Sequence, residues 1–175
     1  MIRVLSWNVE HFKSGKVDEV IKVIQKHKPD VFGLYEVEDK QIYDIMLNQF
    51  PKYSGFLTTG QQSQQIFIAC TNKFDGIKFQ QKDQFKSGNP KLRPGVFLTF
   101  KNQNNMYAFL FLHTDSGTTA VDFGNRNEMF EHAINLKRKI DEQSANPVNF
   151  IILGDLNTMG LNYPTGKNNI AQTAS

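Results

Sequence analysis

Short apolar runs and amphipathic segments alternate along the first fifty residues. The run "IRVLSW" predicts a strand that ends at Asn8, and "DVFGLYEVE" predicts a mostly apolar strand that is buried on both faces. Between them, apolar side chains recur at helical spacing in residues 16–28, and Pro29 ends that helix. A second helix is predicted over residues 39–50, with Pro51 just beyond its end.

The middle of the chain changes to short β-type runs. These runs are "YSGFLTTG", "QIFIACT", "IKFQQKDQF", "GVFLTFK" and "MYAFLFLH", and turn signals such as "FDG", "SGNP" and "NQNN" separate them. The asparagine-rich turn between Lys101 and Met106 predicts a hairpin.

Helical spacing returns in residues 125–143, where Asn125 is the predicted N-cap, and "NFIILG" predicts the last strand. The order βαβα, then a meander of strands, then αβ, favours a sheet-on-sheet core flanked by helices, in the α+β class. We expect one domain over residues 1–157. Residues 158–175 show no helical or strand period and predict a polar loop or tail.

The composition narrows the class of protein. A chain of 175 residues with 39% hydrophobic and 21% charged residues is globular and large enough for one substantial core. The net charge of +3 suits a phosphate-bearing partner but carries little weight alone. The single cysteine, Cys70, excludes an internal disulfide framework and a thiolate zinc site. Without a signal peptide or a membrane-length apolar segment, we expect a cytoplasmic protein with no membrane span.

Four predicted strands end in polar residues that a core does not need. These are Asn8 with Glu10, then Glu36, then His113, and finally Asp155 with Asn157. Groups placed where a rigid strand meets a loop are held by the sheet and still reached by solvent. Gathered carboxylates repel one another unless a cation neutralises them, and oxygen ligands without a thiolate favour Mg²⁺ or Mn²⁺. Phosphate ester cleavage is the natural chemistry of such a set.

Each of these residues has an ordinary structural interpretation when it is taken singly. Asn8 fits a turn, Glu36 a solvated strand end, His113 a satisfied histidine at the rim, and "GDLN" a common Asx turn. The functional interpretation gains weight because all four sets occupy the same structural position.

The segments "SWNVE", "DVFGLYEVE", "LFLHTDSG" and "ILGDLN", in this order, resemble the endonuclease/exonuclease/phosphatase superfamily, also called deoxyribonuclease-I-like. The resemblance spans Ile2 to about Asn157. It implies a four-layer αββα sandwich with a divalent-metal site at one end, which hydrolyses phosphodiesters or phosphomonoesters. By motif position, Glu36 is the implied principal metal ligand, Asn8 binds metal or phosphate, and Glu10 is a possible additional ligand.

The remaining implied roles concern the substrate and the attacking water. Asp155 orients the water, and Asn157 holds that water and the phosphate. His113 contacts the phosphate or the transition state, and Arg93 stands where family members often keep a basic substrate-binding residue.

The sequence departs from the family pattern in two places. Tyr35 stands where a glutamine is common before the glutamate, and no Ser-Asp-His motif follows Asp155. Three hypotheses remain. The chain is part of a longer metal-dependent hydrolase, which we favour, or a degenerate member that binds a phosphate ligand or a protein without turnover. In the third, it is a short enzyme in which His113 takes over proton transfer.

The substrate is expected to be a phosphate ester, with nucleic acid favoured over inositol phosphates and lipids. The stretch "QQKDQFKSGNPKLRP" offers four cations and Phe85, which suits a basic groove with an aromatic platform, and a solvated lysine-bearing loop is an equal alternative. A monomer is favoured.

Overall fold

The computed structural model describes residues 1–158 of the 175-residue chain. The predicted tail, residues 158–175, therefore lies outside the described residues except for Thr158. Within residues 1–158 there are eight strands: β1 (Val4–Phe12), β2 (Val31–Val37), β3 (Tyr53–Leu57), β4 (Gln65–Thr71), β5 (Asp75–Lys82), β6 (Gly95–Asn102), β7 (Asn105–His113) and β8 (Val148–Asp155). The α-helices of this described part are α1 (Val17–His27), α2 (Gln41–Gln49) and α3 (Ala120–Gln143). None of them is long and apolar enough to cross a membrane.

The strands form two four-stranded mixed sheets. The first sheet has the order β1-β2-β4-β3, and the second has the order β5-β6-β7-β8. Parallel pairs join β1 to β2 and β7 to β8, and the other neighbours are antiparallel. The predicted hairpin is confirmed, since Asn102 of β6 pairs with Asn105 of β7.

Three buried apolar clusters separate four layers. The first cluster lies between the first sheet and its helices and includes Val20, Ile24, Phe32 and Met46. The second lies between the two sheets and includes Ile66, Ile68, Leu98 and Phe111. The third lies between the second sheet and α3 and includes Leu110, Leu112, Met129 and Ala133. The predicted four-layer αββα sandwich is confirmed, and β2 is buried along almost its whole length, as its apolar sequence indicates.

Two predicted boundaries are wrong. The helix α3 begins at Ala120, and its N-cap is Thr119, whose hydroxyl accepts from the Asp122 amide while the Asp122 carboxylate accepts from Thr119. This capping box was readable as Thr-x-x-Asp, whereas Asn125 lies in the second turn. The strand β1 continues past Asn8 to Phe12, because a register shift carries the chain around the polar residues instead of ending the strand.

Candidate active site

The carboxyl ends of β1 and β2 in the first sheet lie next to those of β7 and β8 in the second. Asn8 connects the two sheets there: its Nδ2 donates to Glu36 Oε1 at 2.9 Å and to Asp155 Oδ2 at 2.7 Å. Its Oδ1 accepts the main-chain N–H of Glu10 at 2.9 Å, which turns the nitrogen towards the carboxylates. One amide therefore holds together two acidic groups that are 119 residues apart in sequence (155 − 36).

Irregularities of the main chain direct these side chains towards one another. The pairing of β1 with β2 shifts between Asn8 and Phe12, and that of β2 with β4 shifts between Leu34 and Val37. Non-glycine residues with positive φ lie at these bulges and at the end of β8, at Glu10 (55°), His11 (51°), Glu36 (62°) and Asn157 (45°). Left-handed backbone at such residues costs about 1–3 kcal/mol each, and it clusters where function requires a particular side-chain direction.

Glu36 is fixed by two donors. Besides Asn8, the His11 amide donates to Oε2 at 3.0 Å, and the carboxylate side chain is 16% exposed. Burial by itself raises the pKa of Glu36, but the hydrogen bonds from Asn8 and His11 outweigh it, and the pKa lies below its ordinary value. Glu36 is therefore an ionised acceptor at neutral pH.

Asp155 and Asn157 form the corner contributed by the second sheet. Gly154 carries a φ of 153°, and an added Cβ would lie 1.8 Å from the Leu112 carbonyl oxygen, so only glycine allows β8 to approach β7 here. The Thr114 amide donates to the Asp155 carbonyl at 3.0 Å. Asn157 donates through Nδ2 to the Thr114 carbonyl at 2.9 Å and through its amide to Asp155 Oδ1 at 3.2 Å.

His113 lies beneath both carboxylates and is 2% exposed. Its Nε2 is 3.9 Å from Glu36 Oε1 and 3.8 Å from Asp155 Oδ2. Burial and the nearby Arg93 charge outweigh the two carboxylates and lower the pKa of His113 to about 4. The imidazole is therefore neutral at physiological pH, and the partner of Nε2 decides which ring nitrogen carries the proton.

Glu36, His113 and Asp155 each offer one ligand atom, and these three atoms lie within 4.8 Å of one another. Two carboxylates and a neutral imidazole at this spacing are a donor set that a divalent cation fits. The set holds formal negative charge in a partly buried corner, where a cation would offset the repulsion between the carboxylates.

Arg93 also lies beside this group. Its guanidinium donates to Gln64 Oε1, and burial lowers the pKa of Arg93, because it outweighs the opposing charges of Glu36, Asp115 and Asp155. Gln64 and Asp115 were not predicted from the sequence, although Asp115 stands inside the quoted segment "LFLHTDSG".

Glu10 is not brought to the site in the same way. Its side chain is exposed and does not belong to the three-residue ligand group found in residues 1–158. Its main chain contributes instead, since the Glu10 amide orients Asn8 and its carbonyl accepts from Lys16 Nζ. Asn8 lies between the two carboxylates, with its amide nitrogen facing them.

The predicted aromatic platform near Arg93 is wrong. Phe85 is fully buried and packs edge-on against His132 of α3, with ring centroids 5.9 Å apart. Two lysines of this stretch also have partners in the protein, since Lys86 donates to Gln62 Oε1 at 2.9 Å and Lys82 Nζ lies over the Phe97 ring. Phe85 is buried because it is part of the third apolar cluster, between the second sheet and α3.

The family model for the endonuclease/exonuclease/phosphatase family matches residues 5–173. The chain belongs to this family. No curated protein is similar enough in sequence to match the chain.

Solved structures with the same fold come from several organisms. TDP2 from Caenorhabditis elegans superposes with a TM-score of 0.72 at 21% identity, over 89% of this chain and 47% of that one. Danio rerio TDP2 in complex with a single-strand DNA product gives 0.67 at 15%, over 89% and 60%. The mannosyl-6-phosphatase Bt3783 from Bacteroides thetaiotaomicron gives 0.65 at 17%, over 90% and 66%. The chain thus spans between about half and two thirds of these proteins, and at this identity the similarity shows the fold.

Proposed function

We propose that the protein is a divalent-metal-dependent phosphoester hydrolase and favour a phosphodiesterase or nuclease activity. The observation that carries the proposal is the double hydrogen bond from Asn8 to Glu36 and Asp155, with His113 Nε2 within 4 Å of both carboxylates. A purely structural carboxylate pair would be expected to separate or to bind a cationic side chain rather than share one neutral amide.

Glu36 and Asp155 would hold Mg²⁺ or Mn²⁺, since their carboxylate oxygens fit a divalent ion. When bound, such an ion polarises a phosphoryl oxygen and stabilises the charge that builds in the transition state. Asn8 holds the two carboxylates at a fixed spacing through its two hydrogen bonds, and Glu10 acts through its main chain.

The other polar groups are assigned to the substrate and to water. Asp155 would orient the attacking water, with Asn157 beside it holding the water and a phosphate oxygen. Arg93 would bind a non-bridging oxygen, oriented by Gln64. His113, neutral at physiological pH, would donate a hydrogen bond to a phosphoryl oxygen through Nε2, or take over proton transfer if no other base is present.

Nucleic acid is the favoured substrate. One neighbour in fold carries a single-strand DNA product in its structure, and another is a sugar phosphatase, so the fold accommodates both classes. A groove of about 430 Å³ lies between residues 59–61 and 81–90, with Lys86 and Asp83 in its lining. A groove suits a polymer with a chain of phosphates better than it suits a single sugar phosphate.

The test uses the purified protein with Mn²⁺ or Mg²⁺ and five substrates: supercoiled DNA, abasic duplex, single-stranded RNA, inositol phosphates and bis(p-nitrophenyl) phosphate. We expect metal-dependent turnover of a phosphodiester, and Glu36→Gln should reduce it by about 10³-fold, since a ligand carboxylate is lost. The exposed Glu142 near the end of α3 provides the matched control Glu142→Gln, which should be unaffected.

A second measurement separates binding from turnover. Metal should raise the melting temperature of the wild type and of Glu142→Gln but not of Glu36→Gln. No metal effect on the wild type contradicts the metal site. If no substrate is cleaved while Asp155→Ala binds phosphate ligands as well as the wild type does, the protein is a binding module without turnover.

A further inference from the structure

Arg126, in the second turn of α3, is a buried cation with no carboxylate partner among the described ion pairs. It is 7% exposed, and its Nη1 donates to the carbonyl oxygens of Asp115 at 2.7 Å and Gly117 at 2.6 Å. The Phe123 ring covers the guanidinium at 4.5 Å. A buried charge is costly unless it is well hydrogen-bonded. The bonds from Arg126 to two carbonyl oxygens meet this requirement and at the same time fix the main chain that carries them.

The backbone held by Arg126 is residues 114–117, the first part of the connection between β7 and α3. Its first residue, Thr114, donates to the Asp155 carbonyl and accepts from Asn157 Nδ2. Its second residue, Asp115, accepts from Arg126 through its carbonyl, and its carboxylate is fixed by Asn125 Nδ2 at 2.8 Å. Arg126 therefore fixes a segment that contacts Asn157, which the proposed function assigns to the attacking water and the phosphate.

We infer that Arg126 is a positioning residue for phosphoester hydrolysis: it fixes residues 114–117 so that Asn157 is aligned on the phosphate. This inference rests on the proposed function for its chemistry. Its geometric part, the effect of Arg126 on Asn157, stands independently of turnover.

The chain offers closely matched variants. Arg126→Met keeps the length and the packing on Phe123 but removes both donors, and Arg126→Lys restores a cationic donor on a shorter side chain. Arg, Lys and Met have similar helix propensities, so changes in α3 itself remain small. Arg138, exposed on the same helix, gives the control Arg138→Met.

The experiment measures steady-state turnover of bis(p-nitrophenyl) phosphate with Mn²⁺, together with ¹⁵N NMR of the metal-free protein. We expect Arg126→Met to lower kcat about tenfold or more while KM changes less than about twofold, because misplacement of aligned groups by about 1 Å is costly. Arg126→Lys should recover part of kcat. The Asn157 side-chain amide signals should shift and the Thr114 amide should exchange faster in Arg126→Met, in contrast to Arg138→Met.

The inference is overturned if Arg126→Met retains the Asn157 signals, the Thr114 exchange rate and the kcat of Arg138→Met. Should Arg126→Met not fold, Arg126→Lys carries the same comparison. If the wild type itself shows no turnover, the proposed function fails, and the NMR measurements still decide: unchanged signals refute positioning by Arg126, and shifted signals support it.

Discussion

The strands β2 and β8 each deliver one carboxylate to the site, but they are held in different ways. β2 pairs on both sides, with β1 and β4, and all its residues except Glu36 are buried. β8 ends its sheet and pairs only with β7 among the described strands, and Ile151 and Ile152 are 38% and 39% exposed. Glu36 is therefore set by a packed core, whereas Asp155 depends on a single ladder and a few polar contacts.

The two sheets therefore fix the positions of their carboxylates by different means. In the first sheet, the bulges at Glu10, His11 and Glu36 are strained conformations that surrounding packing maintains. In the second sheet, one glycine, Gly154, permits the approach, and hydrogen bonds from Asn8 and Thr114 fix the result. We expect changes in the first sheet to act through packing and changes in the second to act on local geometry.

The largest expected effect on stability comes from a substitution that disrupts the β7–β8 ladder. Gly154→Ala should lower the free energy of unfolding by about 4 kcal/mol, because it combines positive-φ strain with overlap of Cβ and the Leu112 carbonyl. Urea denaturation measures this loss. Gly124, inside α3 and open to solvent, is the control: Gly124→Ala should stabilise by about 0.5–1 kcal/mol. Equal effects of the two substitutions would contradict the close approach of β8 to β7.

The same substitution in the two sheets compares their packing directly. Ile68→Ala in β4 removes a fully buried side chain and should cost about 3 kcal/mol in unfolding free energy. Ile152→Ala in β8 should cost about 1 kcal/mol, since the side chain is partly exposed already. Chemical denaturation of both variants checks the ratio, and a loss at Ile152 as large as that at Ile68 would show that β8 is as well packed as β4.

Asn8→Ala removes the hydrogen bonds that join the two halves of the site. We expect a loss of about 2 kcal/mol at pH 7, because two charged acceptors each lose a donor and then face each other. Asn127→Ala, at an exposed position of α3 that bonds only to Glu131, should change stability by less than about 0.5 kcal/mol. Thermal denaturation compares them, and similar values would indicate that Asn8 does not join the sheets energetically.

The smallest effect on stability comes from a thiol comparison. Cys70 in β4 is fully buried, and burial followed by the Asp30 charge raises its pKa to about 12. It should not react with a disulfide reagent until the protein unfolds, and raising the pH to 9 should not change this, since the thiol stays protonated. The thiol introduced by Ile152→Cys should react within minutes in the folded state. Rapid labelling of Cys70 in the wild type would contradict the burial of the first sheet.

Sequence patterns predicted the parts of the fold that depend on local spacing. Val17, Val20 and Ile24 lie on one face of α1, and the apolar run of β2 is buried as expected. The N-cap at Asn125 was wrong because the capping box at Thr119 precedes the apolar period by one turn. The role of Phe85 was wrong because a polar neighbourhood in sequence does not reveal which layer a side chain enters.

For the site, the sequence by itself determined which residues stand at strand ends, since a strand's end is visible in its own pattern. Glu36, His113 and Asp155 were found that way, whereas Asn8 was selected at a predicted strand end and in fact lies inside β1. Only the tertiary structure decided that Asn8 lies between the carboxylates, that Glu10 contributes its main chain, and that Arg126 holds the connection after β7. These contacts depend on bulges, sheet packing and pairs up to 147 residues apart, and no local period encodes them.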